Sequence, residues 1–205
     1  IRPSAKFSNA GSTSPALIPL SGGTGGDAGD MNYVPHAYIV VPLNERMSFG
    51  LGLGAPFGLK TEYDSTWVGR FHAIKSDVKT MNLNPSLSYK VSDQLALGFG
   101  LNYQKLKGEF SSAVDYPAAI YANPLTRPLT ALAKPGSAML SGDDTAWGYN
   151  FGAIFQVSPQ TRLGLSYRSA IKYHLEGTAN FSSTGNPITD AIVQFPVSPA
   201  RGGNI

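Results

Sequence analysis

Four residues near the C-terminal end of the chain are the most chemically suggestive. Arg168, Lys172, His174 and Glu176 recur at even positions, so on one extended strand they share a face. A guanidinium holds a carboxylate through two parallel hydrogen bonds, and an ammonium holds it as a point charge. The set therefore suits a carboxylate, and Glu176 offers the alternative of an internal ion pair. Other chemistries lack their parts. The residues 164–168, Gly-Leu-Ser-Tyr-Arg, miss the second glycine of a nucleophile elbow. His36, His72 and His174 have no metal-like spacing, and the chain has no Cys. No residues suggest a cofactor. The glycines alternate singly and form no phosphate loop. Asp27, Asp30, Asp143 and Asp144 read as solvated loop acids.

These side chains need strands to position them, and a period of two dominates the sequence. Residues 47–54 read MSFGLGLG, with Met47, Phe49, Leu51 and Leu53 opposite Ser48, Gly50, Gly52 and Gly54. Residues 95–103 repeat this. In 145–156, Trp147, Tyr149, Phe151, Ala153 and Phe155 oppose Gly148, Asn150, Gly152, Ile154 and Gln156. In 78–90, Met81, Leu83, Leu87 and Tyr89 oppose Thr80, Asn82, Asn84, Ser86 and Ser88. Residues 162–176 read as one further strand, with Ile171 and Tyr173 on the apolar face opposite Arg168, Lys172 and His174.

Short turns at 44–46, 92–94 and 158–161 alternate with long connections at 11–32, 60–76, 113–144 and 182–189. Short turns on one side and long loops on the other mark an all-β transmembrane antiparallel barrel. Tyr89, Tyr103, Trp147 and Tyr173 fall toward strand ends, where aromatic girdles lie. A soluble β-sandwich would present Lys, Glu and Thr on its outer face, whereas the polar face here carries Gly, Ser and Asn. The stretch 11–30 reads as a flexible external loop. Residues 113–135 are apolar for a loop and broken by four prolines, with a short helix expected at 129–133. They read either as packing over a barrel mouth or as an apolar capture surface.

Composition agrees. The 205 residues include 23 Gly and 22 aromatics, with only 14% charged residues and a formal net charge of +3. That charge is too small and too dispersed for a nucleic-acid partner. No apolar run is long enough for a membrane-spanning helix. The opening residues lead into no apolar signal segment.

Three motifs in order carry a family resemblance: Pro56-Phe57-Gly58-Leu59, Trp67-Val68-Gly69-Arg70-Phe71 and Asn82-Leu83-Asn84-Pro85-Ser86. With 34–52 and 163–181, they make the chain similar to FadL-type transporters of Gram-negative outer membranes. Long-chain fatty acid and hydrocarbon channels share these motifs. The resemblance implies roughly half of a fourteen-stranded barrel. Residues 1–8 would lie in the first strand, and 191–196 would enter the eighth. The plug with its Asn-Pro-Ala motif and the C-terminal strands would be absent.

The resemblance implies passive uptake of hydrophobic molecules, without enzymatic activity or cofactor. The partners expected are a long-chain fatty acid or other apolar small molecule and outer-membrane lipid, with a monomeric full-length barrel. Arg168, Lys172 and His174 would be the ligand contacts, unless Arg168 holds the plug. The family's basic residue on the fifth strand has no match: Ser112 stands there, and Lys105 and Lys107 face outward. Gly54, Ala55, Pro56, Phe57 and Gly58 match a kink that opens the family's wall laterally to the membrane. Pro56, which has no N–H, could also simply end its strand. A diffusion porin and a surface adhesin or receptor remain competing functions.

Overall fold

A computed structural model describes residues 2–11, 13, 20–197 and 203–204. One antiparallel sheet dominates it. The strands are β1 (His36–Pro42), β2 (Met47–Gly54), β3 (Gly58–Glu62), β4 (Lys75–Lys90), β5 (Leu95–Val114), β6 (Gly136–Ser158), β7 (Thr161–Arg168), β8 (Glu176–Phe181) and β9 (Gly203–Asn204). The sheet runs β1-β2-β4-β5-β6-β8-β9, with β3 also on β4 and β7 also on β6. Two helices, α1 (Tyr116–Ala122) and α2 (Pro187–Val197), and a 3-10 helix (Arg127–Leu132) lie at the long-loop end.

The alternation translates directly into two faces. Phe49 pairs with Leu87, which pairs with Phe99, which pairs with Phe151, which pairs with Tyr167. On the other face Gly50 pairs with Ser86, which pairs with Gly100, which pairs with Asn150, which pairs with Arg168. The apolar face is exposed: Leu165 is 71% and Trp147 64% accessible. A sandwich would bury that face, whereas a membrane wall presents it to lipid. Its aromatic rim includes Tyr103 on Trp147, ring centroids 4.9 Å apart. Beyond that rim the same face turns charged, with Lys105 paired to Asp143 at 2.8 Å.

The long-loop end holds the apolar core. Tyr116, Ile120, Ala133 and Val193 are buried together against Val114, Leu129 and Ile192. Asp115 caps α1 by accepting from the Ala118 N–H at 3.0 Å. The residues 113–135 thus contain α1 as well as a 3-10 turn close to the expected helix.

Asp143 and Asp144, expected in a loop, stand within β6, which begins at Gly136. Three further expectations need correction. First, residues 2–8 form no strand beyond a single bridge between Lys6 and Asp27; Ile1 lies outside the described residues. Their polar groups go elsewhere: Asp27 Oδ1 accepts the Ala5 N–H and Asp27 Oδ2 the Ser4 hydroxyl. Second, 191–196 belong to α2. Asn186 Oδ1 accepts the Ile188 N–H at the helix start, and Ile192 and Val193 turn to the buried cluster.

Third, 162–176 is not one strand. Asn150 pairs with Arg168 and Asp143 with Glu176, so six residues of β6 face seven of the neighbouring chain. One extra residue reverses the faces. Glu176 therefore shares the outward face of Asp143, and Tyr173 leaves the aromatic rim.

Candidate functional site

The inner face between β1 and β7 gathers the polar residues. Asn82 and Asn84 come from β4, Asn102 from β5 and Asn150 from β6. Asn102 Oδ1 accepts from Asn82 Nδ2 at 3.0 Å and from Asn84 Nδ2 at 3.2 Å. Asn150 Oδ1 accepts from Asn84 Nδ2 at 2.8 Å and from Asn102 Nδ2 at 2.9 Å. Alternate-position asparagines on adjacent strands are the sequence signal for such a cluster. Asn102 is its hub and is almost fully buried. Replacing Asn102 with Leu strands the Asn82 amide donor, at roughly 1–3 kcal/mol, while Asn84 Nδ2 keeps Leu101 O and Asn150 Oδ1. The expected outcome is a lower urea midpoint for the refolded full-length barrel.

Beside this cluster the wall is interrupted. Gly54 pairs with Asn82 and Gly58 with Lys79, so Ala55, Pro56 and Phe57 face only Thr80 and Met81. Thr80 closes one side of the gap: its hydroxyl donates to Phe57 O at 2.6 Å and accepts the Phe57 N–H at 2.9 Å. β2 stops at Gly54 and β3 starts at Gly58 on the same neighbour, so Pro56 sits in a bulge between them and not at the edge of a loop. The extra residue turns Lys60 outward and Leu59 inward. At Gly54 a Cβ would lie 2.5 Å from His36 Nδ1, so the glycine lets the imidazole lie flat over the inner face of the wall.

Arg168 reaches this region from across the lumen. It lines a cavity of about 230 Å³ with His36, Tyr38, Gly54, Pro56 and Asn82. It also lines a neighbouring cavity of about 570 Å³ with Val40, Ser86 and Asn150. Its guanidinium has no ion pair or hydrogen bond among the described residues. Lys172 and His174 are exposed on the segment after Arg168 and do not share its strand. The His174 N–H donates to Asp144 Oδ2 at 2.6 Å. Lys105 faces outward as expected, and Ser112, opposite Ala138, lies far along β5 toward the loops.

The mouth side is tied together by the Trp67–Phe71 stretch. Trp67 stacks on Tyr63 at 4.1 Å, meets Phe7 edge-on at 5.5 Å, and donates from Nε1 to Ala73 O at 2.8 Å. Arg70 Nη1 donates to Ser21 O at 2.6 Å. The expected flexible stretch 11–30 is thus anchored where described. Asp27, nearby, has its carboxyl held below the usual range by the Ala5 N–H, the Ser4 hydroxyl and the Gly29 N–H.

Comparison with known proteins places these features. A profile described as outer membrane protein transport protein (OMPP1/FadL/TodX) matches residues 1–198. The chain belongs to this family. The long-chain fatty acid transport protein of Salmonella typhi is 31% identical over 176 residues, covering 83% of this chain and 40% of that protein. Outer membrane protein P1 of Haemophilus influenzae is 31% identical over 154 residues, covering 68% and 34% respectively. A crystal structure of a Pseudomonas aeruginosa FadL homologue superposes with a TM-score of 0.84 at 24% identity, covering 98% of this chain and 50% of that one.

This FadL-family chain therefore spans half or less of the length of these relatives. Its fold is that part of a FadL-type β-barrel, and its place is the outer membrane. The family is one of transport proteins, not enzymes.

Proposed function

We propose that the chain forms the exit wall of a passive channel for hydrophobic molecules, with long-chain fatty acids as the substrate class. The observation that carries this reading is the gap at Ala55–Phe57 opening beside a cavity that holds Arg168. A ligand leaving through the wall enters lipid directly, which suits an alkyl chain that water would reject. An anionic headgroup needs a paired charge once its chain leaves water. Arg168, unpaired and facing the lumen, supplies one. Lys172 and His174 lie just beyond it toward the mouth as accessory contacts. Leu125, Leu132 and Ile188, exposed around the helices, offer the first apolar contact.

The test is labelled oleate uptake by the full-length protein in a strain lacking its own transporter. Uptake above the empty strain supports the reading. Passage of small hydrophilic solutes without oleate uptake would instead indicate a diffusion porin. Uptake of an aromatic hydrocarbon without oleate would move the substrate class to hydrocarbons.

A further inference from the structure

The break at 55–57 has a counterpart across the panel formed by β4, β5 and β6. Thr80 and Met81 pair with Leu106 and Lys105, which pair with Asp144 and Thr145. There the second interruption begins, and it is of another kind. Residues 169–175 leave the ladder and fold onto the inner face. At Gly148 a Cβ would lie 2.7 Å from Ile171 Cγ1 and 3.0 Å from Ser169 Oγ. Gly148 faces inward because its pair Asn102 does, so Ile171 sits on the luminal side of the wall. Tyr173 packs beside the inward-facing Gln104.

Both ends of this strap are tied. The Ser169 N–H donates to Tyr149 O at 2.9 Å, the Tyr149 N–H donates to Ser169 Oγ at 2.9 Å, and the His174 N–H bonds Asp144. Between them, residues 170–173 make no backbone hydrogen bond among the described residues. The docked position also satisfies one polar group poorly. The Tyr173 hydroxyl is buried against the Gln104 side chain without a well-formed hydrogen bond. A segment held at its two ends, over a poorly satisfied polar group, opens at lower cost than a laddered strand.

We infer that residues 169–175 are a luminal gate, with Ile171 and Tyr173 as the gating side chains. The inference rests on the channel reading above. Docked, the strap covers the inner wall at Gly148 and Gln104, on the mouth side of Arg168. Lifted, it frees Gln104 and the Tyr173 hydroxyl and bares the inner wall between Arg168 and the mouth. The transported molecule would thus pass a moving element before it reaches the wall gap.

These 205 residues hold no cysteine, so a test by paired cysteines needs only that any cysteine elsewhere in the full-length protein be replaced by serine. In the full-length protein, Gly148→Cys with Ile171→Cys places two thiols within bonding reach. Oxidation should lower oleate uptake at least about tenfold, and reduction should restore it, because closing loops commonly control passage. Quantitative cross-linking with unchanged uptake would overturn the gate. Tyr173→Phe removes the poorly satisfied hydroxyl, favours the docked strap, and should slow uptake about twofold or more. A faster rate in that variant would also count against the gate. Thiol labelling of the single Ile171→Cys variant reads strap motion without uptake. Slow labelling that stays slow on adding oleate contradicts a gate. Labelling that responds to oleate in a strain showing no net uptake would leave the gate standing and overturn the transport reading.

Discussion

Deleting Pro56 from the full-length protein is expected to lower oleate uptake at least about tenfold while the barrel still folds, because an uninterrupted wall has no lateral path. The register explains why deletion is the decisive change. Gly54 pairs with Asn82 and Gly58 with Lys79, so three residues stand where two would continue the ladder. Without Pro56, Ala55 falls opposite Met81 and Phe57 opposite Thr80. Every other pair of β2 and β3 keeps its partner and its face. Pro56→Val restores a backbone donor but leaves the extra residue, so the bulge persists and the effect should be smaller. Uptake should therefore rank wild type, then Pro56→Val, then the deletion, at matched surface expression. A deletion variant that is heat-modifiable on gels, as a folded barrel is, yet transports at the wild-type rate would remove the exit from this position.

The regular parts of this wall were readable in advance because alternation and turn length act locally. Met47–Gly54 follows its MSFGLGLG pattern from end to end, and the three short turns fall where expected. The interruptions were harder to read, for a physical reason. Residues 162–176 alternate whether or not one residue is inserted, and Ile171 and Tyr173 suit lipid as well as they suit Gly148 and Gln104. Only pairing with β6 shows that the chain turned inward and that Glu176 changed face. In α2, the apolar run Ala-Ile-Val read as a strand; the decisive signal was Asn186 before Pro187, a helix start. Asp115 ahead of Pro117 carried the same information for α1. The site was half legible: the parity of Arg168 gave its luminal face. Its meeting with Pro56 required the curvature of the whole sheet.

That meeting leads to the second large effect. Arg168→Ala should weaken binding of a long-chain carboxylate roughly ten- to a hundredfold, the weight of hydrogen bonds to a charged group. An alcohol of equal chain length should bind the variant as well as the wild type, since its apolar contacts are untouched. Titration calorimetry on the full-length protein in detergent measures both. Arg168→Lys keeps the charge but loses the planar fork, so it should fall between the two for the acid. The pairing of ligands gives the measurement its meaning. Equal losses for acid and alcohol would show that Arg168 supports the wall rather than the headgroup. No loss for either would place the carboxylate elsewhere and favour a neutral hydrocarbon as cargo. Selective loss for the acid would identify why a lumen lined by Gly, Ser and Asn keeps one unpaired guanidinium beside the gap: the headgroup stays held while the alkyl chain enters the bilayer.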